Sequence, residues 1–254
     1  MSKKEHTIKN SNGEDLRAVL ELPENDTPKA YAIFAHCFTC NSDLRAVRAI
    51  ARGLTSYGFA VMRFDFTGLG ESEGEFANTN FTHNIDDLEI VAEYLAENFQ
   101  APKLIIGHSL GGAAALVAAA KIDSIEAVVA LAAPAEPAHV THLFADKIED
   151  MERNGHAEVN IGGRPFVLKK QFLDDLASQN NQKIIKELRK PLLIMHSPQD
   201  KIVGIHNAAK IYERAHHPKS FISLDGADHL LSNRSDSAYV ADIIGIWVQR
   251  YLVE

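Results

Sequence analysis

The sequence predicts an α/β protein built on a mostly parallel, eight-stranded sheet with helices on both faces. Short apolar runs alternate with longer helical patterns along most of the 254 residues, as expected for strands joined by helical crossovers. The runs are continuously apolar, as in Leu192-Leu193-Ile194-Met195, because central parallel strands are covered on both faces. The chain is 46% hydrophobic, enough for one large core, and it is too short for two full domains.

The first half of the chain supplies five of the strands and three helices. Asn12-Gly13 is a typical turn between the first two strands, which form a hairpin. The second helix is recognised by the spacing of Leu88, Val91 and Leu95 along one face. In chain order, the predicted elements are strands His6 to Ile8, Leu16 to Leu22 and Ala30 to Ala35, helix Leu44 to Tyr57, strand Phe59 to Phe64, helix Asp86 to Phe99, strand Lys103 to Gly107 and helix Leu110 to Ala120.

The second half is interrupted by a long insertion between Pro134 and Lys190. This segment exceeds the few residues of an ordinary connection and has a pattern of its own. It predicts a helix from His139 to Arg153, a hairpin turned at Gly162-Gly163 and a helix from Gln171 to Leu176. We expect one domain, 1–254, in which the insertion (134–190) is a lid over the carboxyl edge of the sheet. The remaining elements are strands Ala127 to Leu131, Pro191 to His196 and Ser220 to Leu224 and helices Ile205 to Ala215 and Tyr239 to Tyr251.

The composition excludes several classes of protein. The formal net charge is -8 with acidic and basic residues interspersed, whereas a surface for nucleic acid or anionic lipid needs clustered Lys and Arg. The polar start gives no signal-peptide pattern, and no apolar run reaches the roughly 20 residues of a membrane helix. Two cysteines make no disulfide framework. We therefore expect a cytoplasmic protein with a small-molecule substrate and neither a nucleic-acid nor a membrane partner.

The motif Gly107-His108-Ser109-Leu110-Gly111 indicates a nucleophilic serine. It follows an apolar strand and opens a helix, which is the strand–turn–helix context of a nucleophile elbow. Glycines are needed there because side chains beside the strained serine would collide with the adjacent strand and helix. The side chain of His108 should point away from the serine. Ser109 is therefore the predicted nucleophile.

A serine hydroxyl is a poor nucleophile at its free pKa, so the site needs a base. His229 is the predicted base because it lies just after the final strand, in a loop that can bring an imidazole over the elbow. Where this elbow occurs, the acid lies between the serine and the histidine in chain order. Asp200 follows the penultimate strand, while Asp225 and Asp228 lie in the histidine loop itself. We favour Asp200 because the acid must reach Nδ1 from the side opposite the serine.

An oxyanion hole needs two backbone N–H donors aimed at the developing charge. The sequence predicts that Leu110, directly after the nucleophile, supplies one donor and that Phe38, after the strand Ala30 to Ala35, supplies the other. The Phe38 ring would then lie near an acyl pocket, although packing explains it equally well. The insertion contributes Phe144, Phe166 and Phe172, which we expect to line the pocket with Phe38 as the apolar inner face of the lid.

Five segments of the chain carry a family likeness. They are His36-Cys37-Phe38-Thr39-Cys40, Phe64-Asp65-Phe66-Thr67-Gly68-Leu69-Gly70-Glu71-Ser72, Gly107-His108-Ser109-Leu110-Gly111-Gly112, Asp200 and Gly226-Ala227-Asp228-His229-Leu230. Together they resemble α/β-hydrolases of the serine aminopeptidase/monoglyceride-lipase-like group, and above all the bacterial hydrolase domains often fused to an OsmC-type domain. The resemblance covers nearly the whole chain and implies the α/β-hydrolase fold and a carboxylic-ester hydrolase. Cys37 departs from the wider superfamily, in which most members have Gly at that position.

Three other motifs in the sequence are weaker indications of a different function. Gly68-Leu69-Gly70 follows a strand, but Gly74 comes one residue late for a dinucleotide motif and no helix follows. Cys37 and Cys40 have the C-x-x-C spacing of a redox pair, for which two small turn residues are the simpler explanation. His139 and His142 share a helix face, but no further ligand completes a metal site. We expect no cofactor and no metal.

The combined prediction is a serine carboxylesterase that forms an acyl-enzyme on Ser109. The insertion is small and charged outside, which favours small, soluble, short-to-medium acyl esters over lipid aggregates. Thioesterase, amidase and perhydrolase chemistry use the same residues and stay open. A thiol-redox or interaction protein on a hydrolase scaffold is the alternative from a different class.

Overall fold

The structure, a computed structural model, describes residues 2–24 and 27–252. Ten strands lie in these ranges and are numbered in chain order: β1 Ser2–Lys9, β2 Asp15–Leu22, β3 Ala30–Ala35, β4 Phe59–Phe64, β5 Leu104–His108, β6 Ala127–Leu131, β7 His156–Ile161, β8 Arg164–Lys169, β9 Leu192–His196 and β10 Lys219–Ser223. Eight of them form one sheet in the order β1-β2-β4-β3-β5-β6-β9-β10, and β7 with β8 forms a separate hairpin.

The large sheet is mostly parallel, as predicted. β1 pairs antiparallel with β2, and β2 pairs antiparallel with β4. Every later pair from β4 to β10 is parallel. The carboxyl ends of these parallel strands therefore meet at one edge, where open α/β sheets bind their ligands.

Helices cover both faces of the sheet. Their bounds are α1 Arg45–Thr55, α2 Phe81–Asn98, α3 Leu110–Lys121, α4 Ile148–Asn154, α5 Lys170–Ser178, α6 Asn181–Glu187, α7 His206–Arg214 and α8 Arg234–Val248. Alternate strand residues face opposite sides, so Ile33 and Ile105 pack with α2, α3 and α7, while Phe34 and Ile106 pack with α1 and α8. The sheet is thus the middle layer of three.

Several predicted boundaries need correction. β1 begins at Ser2 rather than His6 because it is an edge strand whose side chains are mostly exposed, so hydrophobic periodicity does not mark it. α2 begins five residues earlier than predicted, since the Asn80 side chain caps it by accepting the His83 N–H. α8 begins at Arg234 rather than Tyr239 because Asn233 caps it in the same way. Polar caps, rather than the apolar faces, set these starts.

The insertion has the predicted hairpin and, as α5, the helix predicted from Gln171 to Leu176, but its other helices differ. β7 and β8 pair antiparallel, and the turn residues Gly162 and Gly163 have φ values of 61° and 80° that favour glycine. The helix predicted from His139 to Arg153 is instead a 3₁₀ segment, Pro137–Lys147, followed by α4. The chain kinks at Phe144, whose φ of -142° is not helical. α6, capped by Asn180, was not predicted.

Aromatic and polar contacts hold the insertion against the sheet. Phe172 of α5 stacks on Phe38, and Phe166 of β8 packs edge-on against Phe76. The Gln171 amide donates to the Thr79 carbonyl oxygen.

Within the described residues, none of the helices combines the length and apolar composition that a membrane crossing requires.

Candidate active site

Ser109 lies in a sharp turn between β5 and α3. Its φ of 56° and ψ of -126° are strained values for a residue with a side chain. A Cβ on Gly107 would come within 2.2 Å of the Gly111 oxygen, and a Cβ on Gly111 would come within 2.2 Å of the His36 oxygen. Both positions therefore require glycine, so that strand, turn and helix can approach closely enough to hold Ser109 in this conformation.

Ser109, His229 and Asp200 form one hydrogen-bonded chain. The Ser109 Oγ lies 2.9 Å from His229 Nε2, and His229 Nδ1 lies 2.7 Å from Asp200 Oδ2. The three residues follow β5, β10 and β9 respectively, so the sheet topology brings them together at its carboxyl edge. All three are buried, with Ser109 8% exposed and His229 9% exposed. The sequence-predicted nucleophile, base and acid thus meet with the geometry that general-base activation needs.

The Asp200 carboxylate is ionised and fixed in place. Its Oδ1 accepts the backbone N–H groups of Ile202 and Val203. Burial opposes ionisation, but contacts with His196 and His229 outweigh it and hold the pKa of Asp200 well below its ordinary value. An ionised carboxylate on Nδ1 holds the imidazole with its Nε2 facing the serine.

The other two candidate carboxylates form contacts elsewhere. Asp225 accepts the Ser223 hydroxyl at 2.7 Å, and Asp228 accepts the Ser232 N–H at 2.9 Å. In the described part of the chain, Asp200 is the carboxylate that hydrogen-bonds to His229. Asp225 and Asp228 shape the loop that presents the histidine.

His108 is a supporting residue whose role the sequence analysis missed. Its Nε2 donates to the His229 carbonyl oxygen at 2.7 Å, so the side chain does point away from the Ser109 hydroxyl, as predicted. Burial, together with the nearby His229, lowers the pKa of His108 to about 3, so the ring is neutral. His108 therefore anchors the loop that carries His229. Its position inside the elbow was the available signal.

The 36–44 loop, which joins β3 to α1, brings Phe38 beside the serine. Phe38 and Leu110 both line the cavity that contains Ser109. Leu110 is the first residue of α3, where the backbone N–H has no partner within the helix. Asp65 fixes the loop by accepting the Ser42 N–H at 2.6 Å and the Glu71 N–H at 3.0 Å. The two residues predicted to supply the donors thus border the same cavity as Ser109.

Cys37 and Cys40 differ from the expectation. The structure joins them in a disulfide, so the two described cysteines are not the simple turn residues that we expected. The bond closes a short ring that contains Phe38 and Thr39. Thr39 has a φ of 59°, a left-handed value that non-glycine residues rarely adopt. The disulfide therefore constrains the backbone on which the Phe38 N–H is presented.

The cavity above Ser109 has a volume of about 430 Å³. It lies between the 36–44 loop, the His229 loop and the insertion, and apolar side chains dominate its wall. Its lining residues are Cys37, Phe38, Thr39, Cys40, Asn41, Leu44, Ser109, Leu110, His139, Val140, His142, Leu143, Ile161, Gly162, Arg164, Ile202, Val203, His229 and Leu230. This size suits a small organic molecule.

Of the four aromatic residues predicted to form the pocket, Phe38 alone lines it. Phe144 and Phe172 are instead buried in the core at 1% and 2% exposure, Phe144 at the kink of the 3₁₀ segment and Phe172 stacked on Phe38. Phe166 packs against Phe76 behind the cavity wall. The insertion lines the cavity with smaller side chains, notably Val140, Leu143 and Ile161, which the sequence pattern did not distinguish from core residues.

His139 and His142 both line the cavity, His139 half-buried and His142 exposed to solvent. Their ring centroids are 4.6 Å apart, and His139 Nε2 donates to the Ile202 carbonyl oxygen. Across residues 2–24 and 27–252, no cluster of three or more His, Cys, Asp or Glu side chains is arranged to hold a metal ion.

Comparison with known proteins gives a consistent family. A family model described as serine aminopeptidase, S33, matches residues 26–164, a segment that includes Ser109 and ends before Asp200 and His229. The esterase domain of a Rhodothermus marinus protein is 46% identical, with a TM-score of 0.81 and 99% of each chain covered. Est1E from Butyrivibrio proteoclasticus, solved with ferulic acid, is 22% identical with a TM-score of 0.79, covering 97% of this chain and 99% of that one, and it shows the fold alone.

Curated relatives at lower identity include two proteins of the rat. Lysophosphatidylserine lipase ABHD12 of Rattus norvegicus is 25% identical over 85% of this chain and 54% of its own length. Palmitoyl-protein thioesterase ABHD10, mitochondrial, of the same species is 24% identical over 80% of this chain and 70% of its own length. The chain thus spans about half the length of the first of these relatives.

Proposed function

The chain belongs to the serine aminopeptidase S33 family of α/β-hydrolases, and on that basis we propose that it is a serine hydrolase of carboxylic esters. The observation that carries the proposal is the hydrogen-bonded chain from Ser109 through His229 to Asp200 at the base of a small cavity. A buried hydroxyl, imidazole and carboxylate in this order are the groups that acyl transfer requires.

In the first step, Ser109 Oγ bonds to the ester carbonyl carbon while His229 Nε2 takes the hydroxyl proton. The carbonyl oxygen becomes an oxyanion, for which the N–H groups of Phe38 and Leu110 are the proposed donors. The bond from carbon to the alcohol oxygen then breaks. The alcohol leaves with the proton held by His229, and an acyl ester remains on Ser109.

In the second step, water takes the place of the alcohol. His229 removes a proton from water, the resulting oxygen attacks the acyl carbon, and the bond to Ser109 Oγ breaks. The carboxylic acid leaves and Ser109 regains its proton from His229. Asp200 stabilises the imidazolium formed in each step, which is why its fixed, ionised carboxylate matters.

The proposed substrates are small esters with short-to-medium acyl chains. A cavity of about 430 Å³ holds a small molecule, and the insertion that covers it is the proposed lid. Exposed large apolar side chains at the cavity mouth are few; Ile202 and Leu230 are each 41% exposed. Such isolated residues make no broad surface for docking on lipid, so the proposal is a carboxylesterase rather than an interfacial lipase.

Kinetics of Ser109→Ala test the proposal. The variant should lose roughly 10⁴-fold or more in kcat for p-nitrophenyl butyrate, because the covalent step is gone while binding and the oxyanion donors remain. Ser232→Ala, an exposed serine in the His229 loop, is the matched control and should keep the wild-type rate. Near-wild-type turnover by a pure, folded Ser109→Ala preparation would refute the proposal.

The disulfide favours a second candidate function, thiol–disulfide exchange. Cys37 and Cys40 have redox-motif spacing, are joined, and line the cavity. Under this alternative, the wild type would reduce a model disulfide such as insulin in the presence of dithiothreitol, and Cys37→Ser/Cys40→Ser would abolish that activity. Under the ester-hydrolase proposal, the double variant keeps Ser109-dependent hydrolysis and the wild type adds nothing to the dithiothreitol background.

A further inference from the structure

The described side chains that line the Ser109 cavity include a permanent positive charge and no carboxylate. Among the described residues that line it there is one permanently charged side chain, Arg164, and no Asp, Glu or Lys. The whole chain, by contrast, has 34 acidic and 26 basic residues and a net charge of -8. A cationic cavity in an acidic protein is a local reversal of charge, and a cleft of one sign concentrates ligands of the opposite sign.

Arg164 is exposed at the rim of the cavity, and two contacts orient its side chain. It is the first residue of β8, directly after the Gly162-Gly163 turn. One guanidinium nitrogen donates to the Thr39 carbonyl oxygen, and the guanidinium carbon lies 5.5 Å from the centroid of the Phe166 ring. The Phe166 ring packs in turn against Phe76. Arg164 is thus oriented before a ligand arrives, which reduces the entropy lost on binding.

The guanidinium keeps donors for a ligand. Arginine has five N–H donors, and the contact with Thr39 uses one nitrogen of the group. In the ion pairs formed by the described residues, Arg164 does not take part. A planar fork with open donors matches a carboxylate, which it can bind in a bidentate manner.

Among the described lining residues none carries a negative charge, and the ionised Asp200 lies outside the lining, where it is hydrogen-bonded to His229. His139 and His142 are the other titratable side chains that the insertion brings to the wall. Burial, with the nearby His142, His206 and Lys210, lowers the pKa of His139, so the ring is largely neutral near pH 7 and adds a polar contact without a negative charge. Arg164 therefore sets the sign of the cavity.

We propose that the cavity selects esters that carry a carboxylate away from the ester bond, with Arg164 as the residue that binds that carboxylate. This specificity rests on the proposed ester-hydrolase function of Ser109. It divides the cavity into a reacting end at Ser109 and an anion-binding end at β8, joined by the apolar wall. An ester with a terminal acid on its acyl or its alcohol part has this distribution of charge.

Matched pairs of esters test the proposal. On the acyl side, mono-4-nitrophenyl glutarate is compared with 4-nitrophenyl valerate. On the alcohol side, 4-butyryloxybenzoate is compared with its methyl ester. We expect the wild type to prefer the charged member of at least one pair in kcat/KM, after correction for the rates of uncatalysed hydrolysis. The preference should weaken as ionic strength rises, because salt screens the attraction.

Variants of Arg164 separate recognition from support of the loop. Arg164→Gln keeps a donor for the Thr39 oxygen and removes the charge, so it should lower kcat/KM for the charged ester about tenfold, chiefly through KM, and lower it far less for the neutral ester. Arg164→Lys should restore part of the preference, because the charge returns without the planar fork. Arg153→Gln, which removes a charge from α4 outside the cavity lining, is the matched control and should change neither ester.

The outcomes distinguish this inference from the function on which it rests. Equal losses on charged and neutral esters in Arg164→Gln would overturn it, since Arg164 would then act only through the 36–44 loop. Neutral esters hydrolysed as well as charged ones by a Ser109-dependent wild type would also overturn it and leave the ester-hydrolase function intact. Failure of Ser109-dependent turnover on all four esters would instead contradict the proposed function itself.

Discussion

The Asp200 side chain is organised before any substrate arrives. One carboxylate oxygen accepts two backbone N–H groups, from Ile202 and Val203, and the other is 2.7 Å from His229 Nδ1. The backbone contacts fix the plane of the carboxylate, and the carboxylate fixes the tautomer of the imidazole. A fixed tautomer leaves Nε2 free to take the Ser109 proton.

Replacing the acid tests this arrangement. Asp200→Asn should lower kcat on the order of 10⁴-fold, because an amide nitrogen facing Nδ1 favours the tautomer that presents a proton to the serine. Asp225→Asn, in the same loop as His229 but bonded to Ser223, is the matched control and should cost little. Steady-state kinetics with p-nitrophenyl butyrate give both values. The reverse ranking would move the acid into the His229 loop.

The residues of the site were predictable to different degrees. Ser109 and His229 stand in sequence contexts that few other functions require, and Asp200 followed from chain order and geometry. The wall of the cavity was not predictable, because Phe144 and Phe172 carry the same apolar signal whether they face a ligand or the core. The backbone of the insertion, including its kink at Phe144, determines whether such a ring faces the cavity or the core, and no residue pattern predicts the kink.

Different secondary-structure elements supply the polar residues of the site and the wall of the cavity. β5, β9 and β10 end at the same edge and deliver the three polar side chains, while the insertion supplies the cavity's outer wall. The central strands were predictable within a residue or two because continuous apolar runs mark them. Within the insertion, the hairpin and α5 were predictable, whereas the 3₁₀ segment and α6 were not, since they depend on local caps and tertiary contacts.

The insertion leads to a prediction about acyl chain length. Each methylene that enters the apolar part of the cavity should add up to roughly 0.8 kcal/mol of binding until the wall formed by Val140, Leu143 and Ile161 stops the chain. Across p-nitrophenyl esters, kcat/KM should therefore peak at a short or medium chain and then fall. Leu143→Ala enlarges the cavity and should move the peak in kcat/KM to longer acyl chains. A rate that climbs through long chains and jumps at micelle formation would favour a true lipase.

At the scale of the whole molecule, the three-layer architecture buries a carboxylate outside the site. Asp87 of α2 is 3% exposed and accepts the backbone N–H and the hydroxyl of Thr67, which lies in the segment after β4. Burial, opposed only in part by these contacts, raises the pKa of Asp87 to about 6. The folded state thus binds this proton more tightly than the unfolded state, in which the pKa is about 3.9.

The sign of the resulting pH dependence follows from proton linkage. Because the folded-state pKa is the higher one, the stabilisation is fully present below about pH 4 and is lost as pH rises to about 6. Between pH 4 and pH 7, the unfolding free energy of the wild type should fall by about 2 kcal/mol relative to Asp87→Asn. Urea unfolding at both pH values measures this difference. Glu97→Gln, an exposed position in the same helix, is the control and should show no such change relative to the wild type.

Two statements about the chain as a whole stay predictions. One is that residues 1–254 form a single domain with a lid at 134–190, and the other is a cytoplasmic location. The class of the sheet, mostly parallel, was predictable because strands alternate with helices along the chain. Its strand order, β1-β2-β4-β3-β5-β6-β9-β10, was not, because pairing depends on crossovers that local sequence does not specify.

The proposed mechanism requires a covalent bond between the Ser109 Oγ and the acyl carbon of the substrate. The measurement is peptide-mapping mass spectrometry of the folded protein after reaction with a fluorophosphonate probe, which phosphonylates an activated serine. We predict one adduct per chain on the peptide that contains Gly107 to Gly111, and none in His229→Ala, in which the hydroxyl lacks its base. An adduct on another serine, or an unlabelled Ser109 in a protein that still hydrolyses esters, would contradict the account.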